Sequence, residues 1–159
     1  MAHLGNVEPQ YNLEKMSHGD RSRQRILEAI RQAPMRMTRK RERLLSALFY
    51  SDRPLSAATL RDNAGLPESD LVTVYRTMDA FEKIGIIQRI PLEENGYIFE
   101  LTEPHDHHHH FVCRECHKTE RIDICIGKQL EERAQKMGFS QVRHLMEVYG
   151  ICGECRISP

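Results

Sequence analysis

Residues 105–116 read HDHHHHFVCREC, and residues 151–155, near the end of the given sequence, read ICGEC. Each stretch contains two cysteines separated by two residues. A Cys-x2-Cys turn brings two sulfur atoms close enough to bind one ion, and two such turns supply the four thiolates that a structural zinc prefers. The spacing therefore predicts one structural Zn2+ site made of Cys113, Cys116, Cys152 and Cys155.

A run of further metal-ligand candidates lies directly before the first cysteine pair. Residues 105–110 are five histidines and one aspartate, which offer nitrogen and oxygen donors in consecutive positions. A single histidine in such a run is often a solvated loop residue, and we expect at least two of them to be so. As a group, however, the run predicts that the chain binds a metal beyond the structural zinc.

Length and composition limit the classes of protein to which the chain can belong. Its 159 residues suit one compact domain or two small ones, and 40% hydrophobic with 29% charged residues excludes wholesale disorder. The sequence contains no apolar run that could span a membrane and no signal-peptide core, so we expect a cytoplasmic protein with no membrane partner. In that reducing compartment, cysteines at this spacing favour metal over disulfides.

The zero net charge of the chain hides a basic block near its amino terminus. Between Arg21 and Arg43 there are nine arginines or lysines against only two acids, Glu28 and Glu42. Such a block attracts polyanions such as DNA, although a charge run is more often an ordinary solvated helix face.

Three short helices are predicted before residue 66. Apolar residues at helical spacing follow Asp20, Thr38 and Ser56. Thr38 and Ser56 are expected N-caps, and Gly65 is expected at the end of the third helix. Residues 1–19 have no clear period and are expected to form a loosely ordered arm.

Residues 70–84, DLVTVYRTMDAFEKI, predict a fourth helix, capped by Ser69 or Asp70 and closed by Gly85. One face is expected to meet a core through Leu71, Val74, Met78 and Phe81. The opposite face is expected to carry Thr73, Arg76, Thr77 and Ala80. Arginine suits guanine edges or phosphates and threonine suits phosphates or a thymine methyl, so this face is typical of a DNA-recognition helix, with an ordinary amphipathic helix as the alternative.

The remaining elements complete an α+β fold. Two short strands around Asn95-Gly96 predict a hairpin, and helices followed by a hairpin form the order of a winged helix-turn-helix domain, which we place at residues 20–103. Residues 104–159 predict a small α/β domain in the order β-β-α-β, with a helix over 127–136 that turns Leu130 and Ala134 inward. Its last strand is expected over 140–150.

Three segments, TVYRTMDAFEKIGII, YIFELTE followed by HHHHFVCREC, and HLMEVYGICGEC, occur in this order over roughly residues 36–156. Together they resemble the ferric uptake regulator family of bacterial metal-dependent repressors. The resemblance implies a homodimer, held by the carboxy-terminal α/β domain. It also implies binding to double-stranded operator DNA when a sensory metal is loaded. No small-molecule substrate is expected.

The resemblance also implies roles for individual residues. The four cysteines match the structural zinc site of the family. One sensory site would contain Glu100, His108 and His110, with Glu120, or alternatively Asp123, in place of a family acid that is Arg121 here. A further site would contain His107, His109 and His144. The residues expected to contact DNA are Arg41, Tyr75 and Arg76 from the resemblance, with Thr73 and Thr77 from the helix pattern.

Three departures from the family pattern put the sensory ligand sets in question. The Arg121 substitution is the first. The usual hinge histidine is replaced by Pro54 or Leu55, and a helix glutamate falls near Gly127, where the chain has no ligand. Cys125 lies close to that position, but by itself it is expected to be a small buried apolar residue more than a ligand.

A His-rich, carboxylate-poor ligand set with Cys125 available favours zinc as the sensed metal and the zinc uptake regulator branch of the family. An iron- or peroxide-sensing regulator, using Fe2+ or Mn2+, is the alternative within the family. Outside it, a zinc-dependent hydrolase or a zinc-storage protein is possible on the ligands alone. The sequence contains no HExxH motif, so we expect a regulator and not an enzyme.

Overall fold

The computed structural model describes residues 20–93, 96–104 and 109–157. The first half of this part of the chain is a winged-helix fold. Its helices are α1 Asp20–Gln32, α2 Arg39–Phe49, α3 Ala57–Asn63 and α4 Leu71–Lys83, and its strands are β1 Leu55–Ser56, β2 Ile87–Pro91 and β3 Tyr97–Leu101. The expected arm, 1–19, and residues 94–95 of the expected hairpin turn lie outside the described residues.

The helix boundaries follow from local hydrogen bonds. Thr38 accepts a hydrogen bond from the backbone of Arg41 at 3.4 Å, and Ser56 accepts one from the backbone of Thr59 at 3.1 Å, as the sequence predicts. Gly65 follows α3 with a φ of 59°, in the left-handed region that glycine tolerates best. Asp70 occupies the N-cap position of α4, as one of the two expected residues, but its side chain makes no capping bond and instead accepts a hydrogen bond from Lys40 Nζ at 2.8 Å.

The core of this half lies between the helices and a three-stranded antiparallel sheet. The sheet order is β1-β3-β2, and the pairing of Leu55 with Phe99 brings in a short strand that the sequence did not indicate. The fully buried side chains come from every helix and from the sheet: Ile26, Leu44, Leu60, Val74, Met78, Phe81, Ile86 and Phe99. Each such burial stabilises the fold by about 1.5–3 kcal/mol.

The second half has the expected β-β-α-β order. It consists of β4 His109–Cys113, β5 Thr119–Ile122, α5 Gly127–Lys136 and β6 Glu147–Gly150, followed by an unpredicted helix α6 Gly153–Ile157. The sheet order is β5-β4-β6, with β5 antiparallel and β6 parallel to β4. The last strand is shorter than expected, because residues 140–146 pair with no strand in the part of the chain that the structure describes.

Much apolar surface in this half faces solvent. Leu130, expected to point inward, is 46% exposed, and the exposed set also includes Ile124, Ile126, Met137, Phe139 and Leu145. Leu130, Met137 and Phe139 lie near one another, and exposed apolar patches often mark an interaction face. No helix in the described ranges is long and apolar enough to cross a membrane.

The two halves meet through the wing. Ile90 and Ile98 of the wing strands pack with Val112 of β4 in a small buried cluster separate from the main core. Beside it, the hydroxyl of Tyr149 in β6 donates a hydrogen bond to the carbonyl of Pro91 at 2.9 Å. In the second half, the junction between the two halves is therefore formed by side chains of β4 and β6.

Candidate metal centres and DNA-recognition helix

The four paired cysteines come together at one end of the second sheet. Cys113 ends β4, Cys116 lies in the turn that follows, and Cys152 and Cys155 belong to the segment after β6. Their sulfur atoms all lie within 4.8 Å of one another, and the sulfurs of Cys116 and Cys152 are 3.7 Å apart. Zn–S bonds of about 2.3 Å in a tetrahedron place sulfur atoms about 3.8 Å apart, so these residues fit a zinc ion.

Backbone N–H groups stabilise negative charge on the sulfur atoms of this cluster. The backbone N–H of Cys152 donates to the sulfur of Cys113 at 3.3 Å. Backbone N–H groups of Cys116 and Cys152 lower the pKa of Cys113 to about 6, whereas the neighbouring thiols of Cys116 and Cys152 raise the pKa of Cys155 to about 12. Four sulfurs in such proximity cannot all be ionised without a cation among them. A divalent metal ion bound by the four sulfurs would supply that cation.

A second group of metal-ligand side chains lies around His109, at the start of β4. His109 of β4, Cys125 in the loop before α5, and His144 in the loop before β6 have ligand atoms within 4.8 Å of one another. Nε2 of His144 is 3.3 Å from Nε2 of His109 and 3.3 Å from the sulfur of Cys125. Bonds of about 2.0–2.3 Å around a tetrahedral zinc give separations of about 3.3–3.6 Å, so this trio also fits a metal.

The start of α5 shapes this second cluster. The backbone N–H of Gly127 donates to the sulfur of Cys125 at 3.3 Å, an arrangement that favours negative charge on the sulfur. The expectation that Cys125 is a buried apolar residue is wrong, because it is exposed and its sulfur faces His144. His107, the third histidine expected here, lies outside the described residues.

A third group spans the junction between the halves. Nε2 of His110 in β4 lies 2.9 Å from a carboxylate oxygen of Glu100 in β3, and Nδ1 lies 3.5 Å from a carboxylate oxygen of Glu147 in β6. The side chains of His110 and Glu147 are each only 2% exposed. Nε2 and the facing oxygen of Glu100 are buried close together without a well-directed hydrogen bond, as befits two ligands of a cation.

The electrostatics of this group are unbalanced. Burial lowers the pKa of His110, but the carboxylates of Glu100 and Glu147 outweigh burial and raise it to about 9. Even with a protonated imidazole, two carboxylates leave an excess of one negative charge in a largely buried place, in which Glu100 alone is partly exposed. Additional positive charge would therefore stabilise the group.

Neighbouring histidines serve different groups because side chains alternate across a strand. His109 faces Cys125 and His144, whereas His110 faces Glu100. The same alternation overturns the expected role of Glu120. It pairs with Phe111, on the opposite face to His110, and its side chain is 70% exposed near Lys118. His108, expected beside His110, lies outside the described residues.

Sequence reasoning missed Glu147, although it is the acid closest to His110 besides Glu100. Its partner position follows from the register of β4 with β6, in which His110 pairs with Glu147. The one indication in the sequence is the alternation of the short strand EVYG, which indicates the face of the sheet toward which the Glu147 side chain points.

The fourth helix presents part of its expected recognition face. Arg76 is exposed, Thr73 is half-buried, and Tyr75 is 39% exposed with its ring edge against Phe99. The expectation that Thr77 shares this face is wrong. Three residues at 100° each place it only about 60° from Val74, and accordingly Thr77 is buried and its hydroxyl donates to the carbonyl of Thr73 at 2.8 Å.

Val72 joins Arg76 on the solvent side, being 62% exposed, a position that the sequence pattern did not single out. Arg41 is half-buried and donates a hydrogen bond to the carbonyl of Arg36 at 2.7 Å, so its guanidinium is already oriented along the surface of α2. The exposed members of the basic block are Arg21, Arg25, Arg31, Arg36, Arg39, Lys40 and Arg43. They add positive charge along α1 and α2, although Arg25 is paired with Glu103 and Lys40 with Asp70.

Comparisons with known proteins agree with this geometry. The family described as "Ferric uptake regulator family" matches residues 32–149. A ferric uptake regulation protein of Campylobacter jejuni is 33% identical over 137 residues, covering 83% of this chain and 87% of that protein.

Among solved structures, the Vibrio cholerae ferric uptake regulator has a TM-score of 0.61 at 29% identity, covering 79% of this chain and 98% of the other. A zinc-bound manganese uptake regulator has a TM-score of 0.55 at 27% identity, covering 80% and 98%. The winged helix, the second sheet and the clustered cysteines occur here in a chain that matches the family over most of its length. This chain therefore belongs to the ferric uptake regulator family of metal-responsive regulators and is not an enzyme.

Proposed function

We propose that this protein is a transcriptional repressor of the cytoplasm that binds operator DNA as a homodimer, and that zinc is the metal it senses. Residues 20–103 form its DNA-binding domain and residues 104–159 its dimerisation domain. One observation carries the choice of metal: His109, Cys125 and His144 bring one sulfur and two imidazole nitrogens within bonding range of a single ion.

The donor set of this cluster selects against the harder metals. A thiolate and imidazoles suit Zn2+, whereas Mn2+ prefers oxygen ligands and iron sites of regulators use more carboxylate. Cys125 is held toward His144 by the backbone of Gly127, so its sulfur already occupies a ligand position. His107 would supply a fourth donor from the run before β4.

The group at the junction is the proposed second sensory site. Glu100 belongs to the winged half and His110 to the other half, so a ligand shared by both side chains links the two halves. His108 would join them. A bound cation would supply the positive charge that the buried carboxylates lack, while Glu100 and His110 hold the wing at a fixed position relative to β4 and β6. A coupling of about 1–3 kcal/mol between this site and DNA suffices for regulation.

DNA binding is assigned to α4 and the basic block. Arg76 and Thr73 lie on the solvent side of α4, with Tyr75 beside them, and Arg41 lies on α2. The Vibrio cholerae relative contains DNA-binding domains that rearrange, which supports the same use of this half. The basic residues of α1 and α2 add phosphate attraction that does not depend on sequence.

The exposed apolar residues of the second half support dimer formation. Leu130 on α5 lies near Met137 and Phe139, which follow this helix, on surface that a single chain leaves in water, and Leu145 is also exposed. A second copy of the chain would bury this surface, and a dimer matches the two-fold symmetry of typical operators.

An iron-responsive repressor is the second candidate. Glu100 and Glu147 place two carboxylates around His110, and oxygen-rich surroundings suit Fe2+ or Mn2+ better than the sulfur-containing cluster does. The Campylobacter jejuni relative is named for ferric uptake. The two candidates differ in which cluster controls DNA binding.

The test is an anaerobic metal titration of operator binding. Protein with its structural zinc filled is titrated with buffered Zn2+, Fe2+ or Mn2+, and binding to a family operator is followed by fluorescence anisotropy. We expect Zn2+ to activate binding in the wild type. Cys125→Ser should require at least about tenfold more free zinc, since oxygen replaces a preferred thiolate ligand. Glu120→Gln, whose side chain is 70% exposed beside Lys118, is the matched control.

Activation by Fe2+ or Mn2+ alone, unchanged in Cys125→Ser, would replace zinc by the second candidate. Operator binding that ignores every metal, or no binding at all, would contradict the metal-responsive repressor itself.

A further inference from the structure

We propose, on the premise that the proposed function is correct, that Glu147 is a positioning residue for the junction site. Its carboxylate holds the imidazole of His110 from behind, so that Nε2 faces Glu100 in the winged half. Glu147 would thereby determine which ring nitrogen is presented to a metal without binding the metal itself.

The geometry places Glu147 and Glu100 on opposite edges of one ring. Glu147 Oε2 accepts the backbone N–H of His110 at 2.9 Å and lies 3.5 Å from Nδ1 of the same residue. Glu100 lies 2.9 Å from Nε2. Since the two ring nitrogens point in different directions, an ion on Nε2 beside Glu100 cannot also reach Glu147 directly.

The position of Glu147 is fixed by the sheet. Parallel pairing of β4 and β6 sets Glu147 opposite His110, and the bond to the backbone of His110 anchors the carboxylate independently of the ring. Tyr149, two residues further on the same strand, is anchored to Pro91. The strand that carries Glu147 is therefore tied both to β4 and to the wing, which fixes the position of its carboxylate.

Burying the Glu147 carboxylate costs free energy, and a functional role would explain why this cost is tolerated. The Glu147 side chain is 2% exposed, and within the described ranges Oε1 has no hydrogen-bond partner. A buried carboxylate that only contributed to packing would be replaced by an apolar residue of similar volume without loss. A carboxylate behind a metal-ligating histidine, in contrast, commonly fixes the ring and its tautomer, and removing it lowers metal affinity about 10–100-fold.

The experiment compares Glu147→Gln, Glu147→Leu and the control Glu120→Gln in a His144→Ala background, which disables the other cluster. Zinc affinity is measured by chelator competition on full-length protein with its structural zinc filled. Nitrogen-15 NMR identifies the metal-bound and the protonated nitrogen of His110. Crystal structures of the metal-free forms give the orientation of its ring.

We expect the parent and Glu120→Gln to bind zinc equally, with the metal on Nε2 and the proton on Nδ1. Glu147→Leu should bind about 10–100-fold more weakly with a reoriented ring. Glu147→Gln should fall between them, because its amide oxygen can keep the bond to the backbone N–H of His110 and stay beside Nδ1. Unchanged affinity in Glu147→Gln and Glu147→Leu would overturn the proposal, and so would a metal found on Nδ1 beside Glu147.

Failure of the proposed function would look different. If the parent binds no metal at His110, the junction site itself is absent, and the metal-free structures still decide the role of Glu147. An unchanged ring in Glu147→Leu then overturns the positioning role, and a turned ring supports it. Zinc content at the four cysteines shows that each variant is folded. If Glu147→Leu does not fold, Glu147→Gln decides by the same measurements.

Discussion

Gly127 packs against the imidazole of His144 so closely that no side chain fits between them. A β-carbon at position 127 would lie 2.8 Å from Nδ1 and 2.9 Å from Nε2 of His144, well inside van der Waals contact. At the place near which the family pattern has a ligand, this chain has no side chain, and the ring of His144 occupies the space. The sulfur of Cys125, bonded to the backbone of Gly127, faces the same ring.

Gly127→Ala should therefore displace His144 from the cluster. The backbone of Gly127 is not in the left-handed region, so the new methyl group acts through space and not through backbone strain. We expect zinc affinity at this cluster to fall at least about tenfold, comparable to loss of a supporting contact. Isothermal titration on protein with its structural zinc filled measures it. Gly150→Ala, where a β-carbon meets nothing within 4 Å, should bind as the wild type does. Equal losses in both variants would contradict this account.

The cysteine quartet should behave as a structural site, separable from the sensing cluster. Cys155→Ser removes one of four thiolates, so the protein should lose its tightly bound zinc and the second half should unfold at lower temperature. The winged half should keep its helical circular dichroism, because its core is built from its own helices and sheet.

Cys125→Ser is the matched control, since it also removes one thiol but leaves the quartet intact. Zinc content by mass spectrometry and thermal unfolding should match the wild type in this variant after removal of loosely bound metal. Retention of zinc by Cys155→Ser would show that the quartet does not act as one site.

Arg76 should contribute directly to operator binding. Its guanidinium is exposed on α4, and loss of an arginine that contacts a base typically costs about 1–3 kcal/mol. Arg76→Ala should thus weaken operator binding by about tenfold or more at fixed salt, measured by anisotropy. Arg133→Ala removes an exposed arginine from α5, in the other half, and should leave affinity unchanged. The assignment of α4 would be refuted by equal affinities of Arg76→Ala and wild type.

Thr77 should not contribute, in contrast to what its place in the sequence suggests. Thr77→Val keeps the shape of the side chain and removes a hydroxyl that only bonds the carbonyl of Thr73 within the helix. We expect unchanged operator affinity and a change in unfolding free energy of no more than about 1 kcal/mol. A tenfold loss of operator affinity with normal stability would mean that α4 rotates on binding DNA and exposes this residue.

Thr77 also illustrates what the sequence could predict and what it could not. Caps at Thr38 and Ser56 and the cysteine pairs are local patterns, and each was readable because its partners lie within a few residues or share one ligand chemistry. Glu147 was not readable, because its contact with His110 depends on how a parallel strand pairs across a long connection.

Cys125 was misjudged for a related reason. Its contacts come from His144, nineteen residues away in a loop with no regular period, and from a backbone N–H at the start of α5. Neither leaves a signal in residue types alone. The winged helix was predictable to within a few residues, apart from β1, whose two residues are too short to show a period.

Tyr149 should carry part of the coupling between metal and DNA. Its hydroxyl donates to the carbonyl of Pro91 across the junction at 2.9 Å, on the same strand as Glu147 and next to the Ile90–Val112 cluster. Tyr149→Phe keeps the ring in the cluster and removes only this bond, which is worth about 0.5–1.5 kcal/mol. We expect normal zinc content, nearly normal metal-free DNA affinity, and a several-fold smaller increase of operator affinity on zinc addition. Tyr97→Phe, an exposed tyrosine of the wing, serves as the control and should respond to zinc as the wild type does. If Tyr149→Phe retains the full zinc response, the coupling runs through the Glu100–His110 contact alone, and the apolar side of the junction does no more than hold the wing in place.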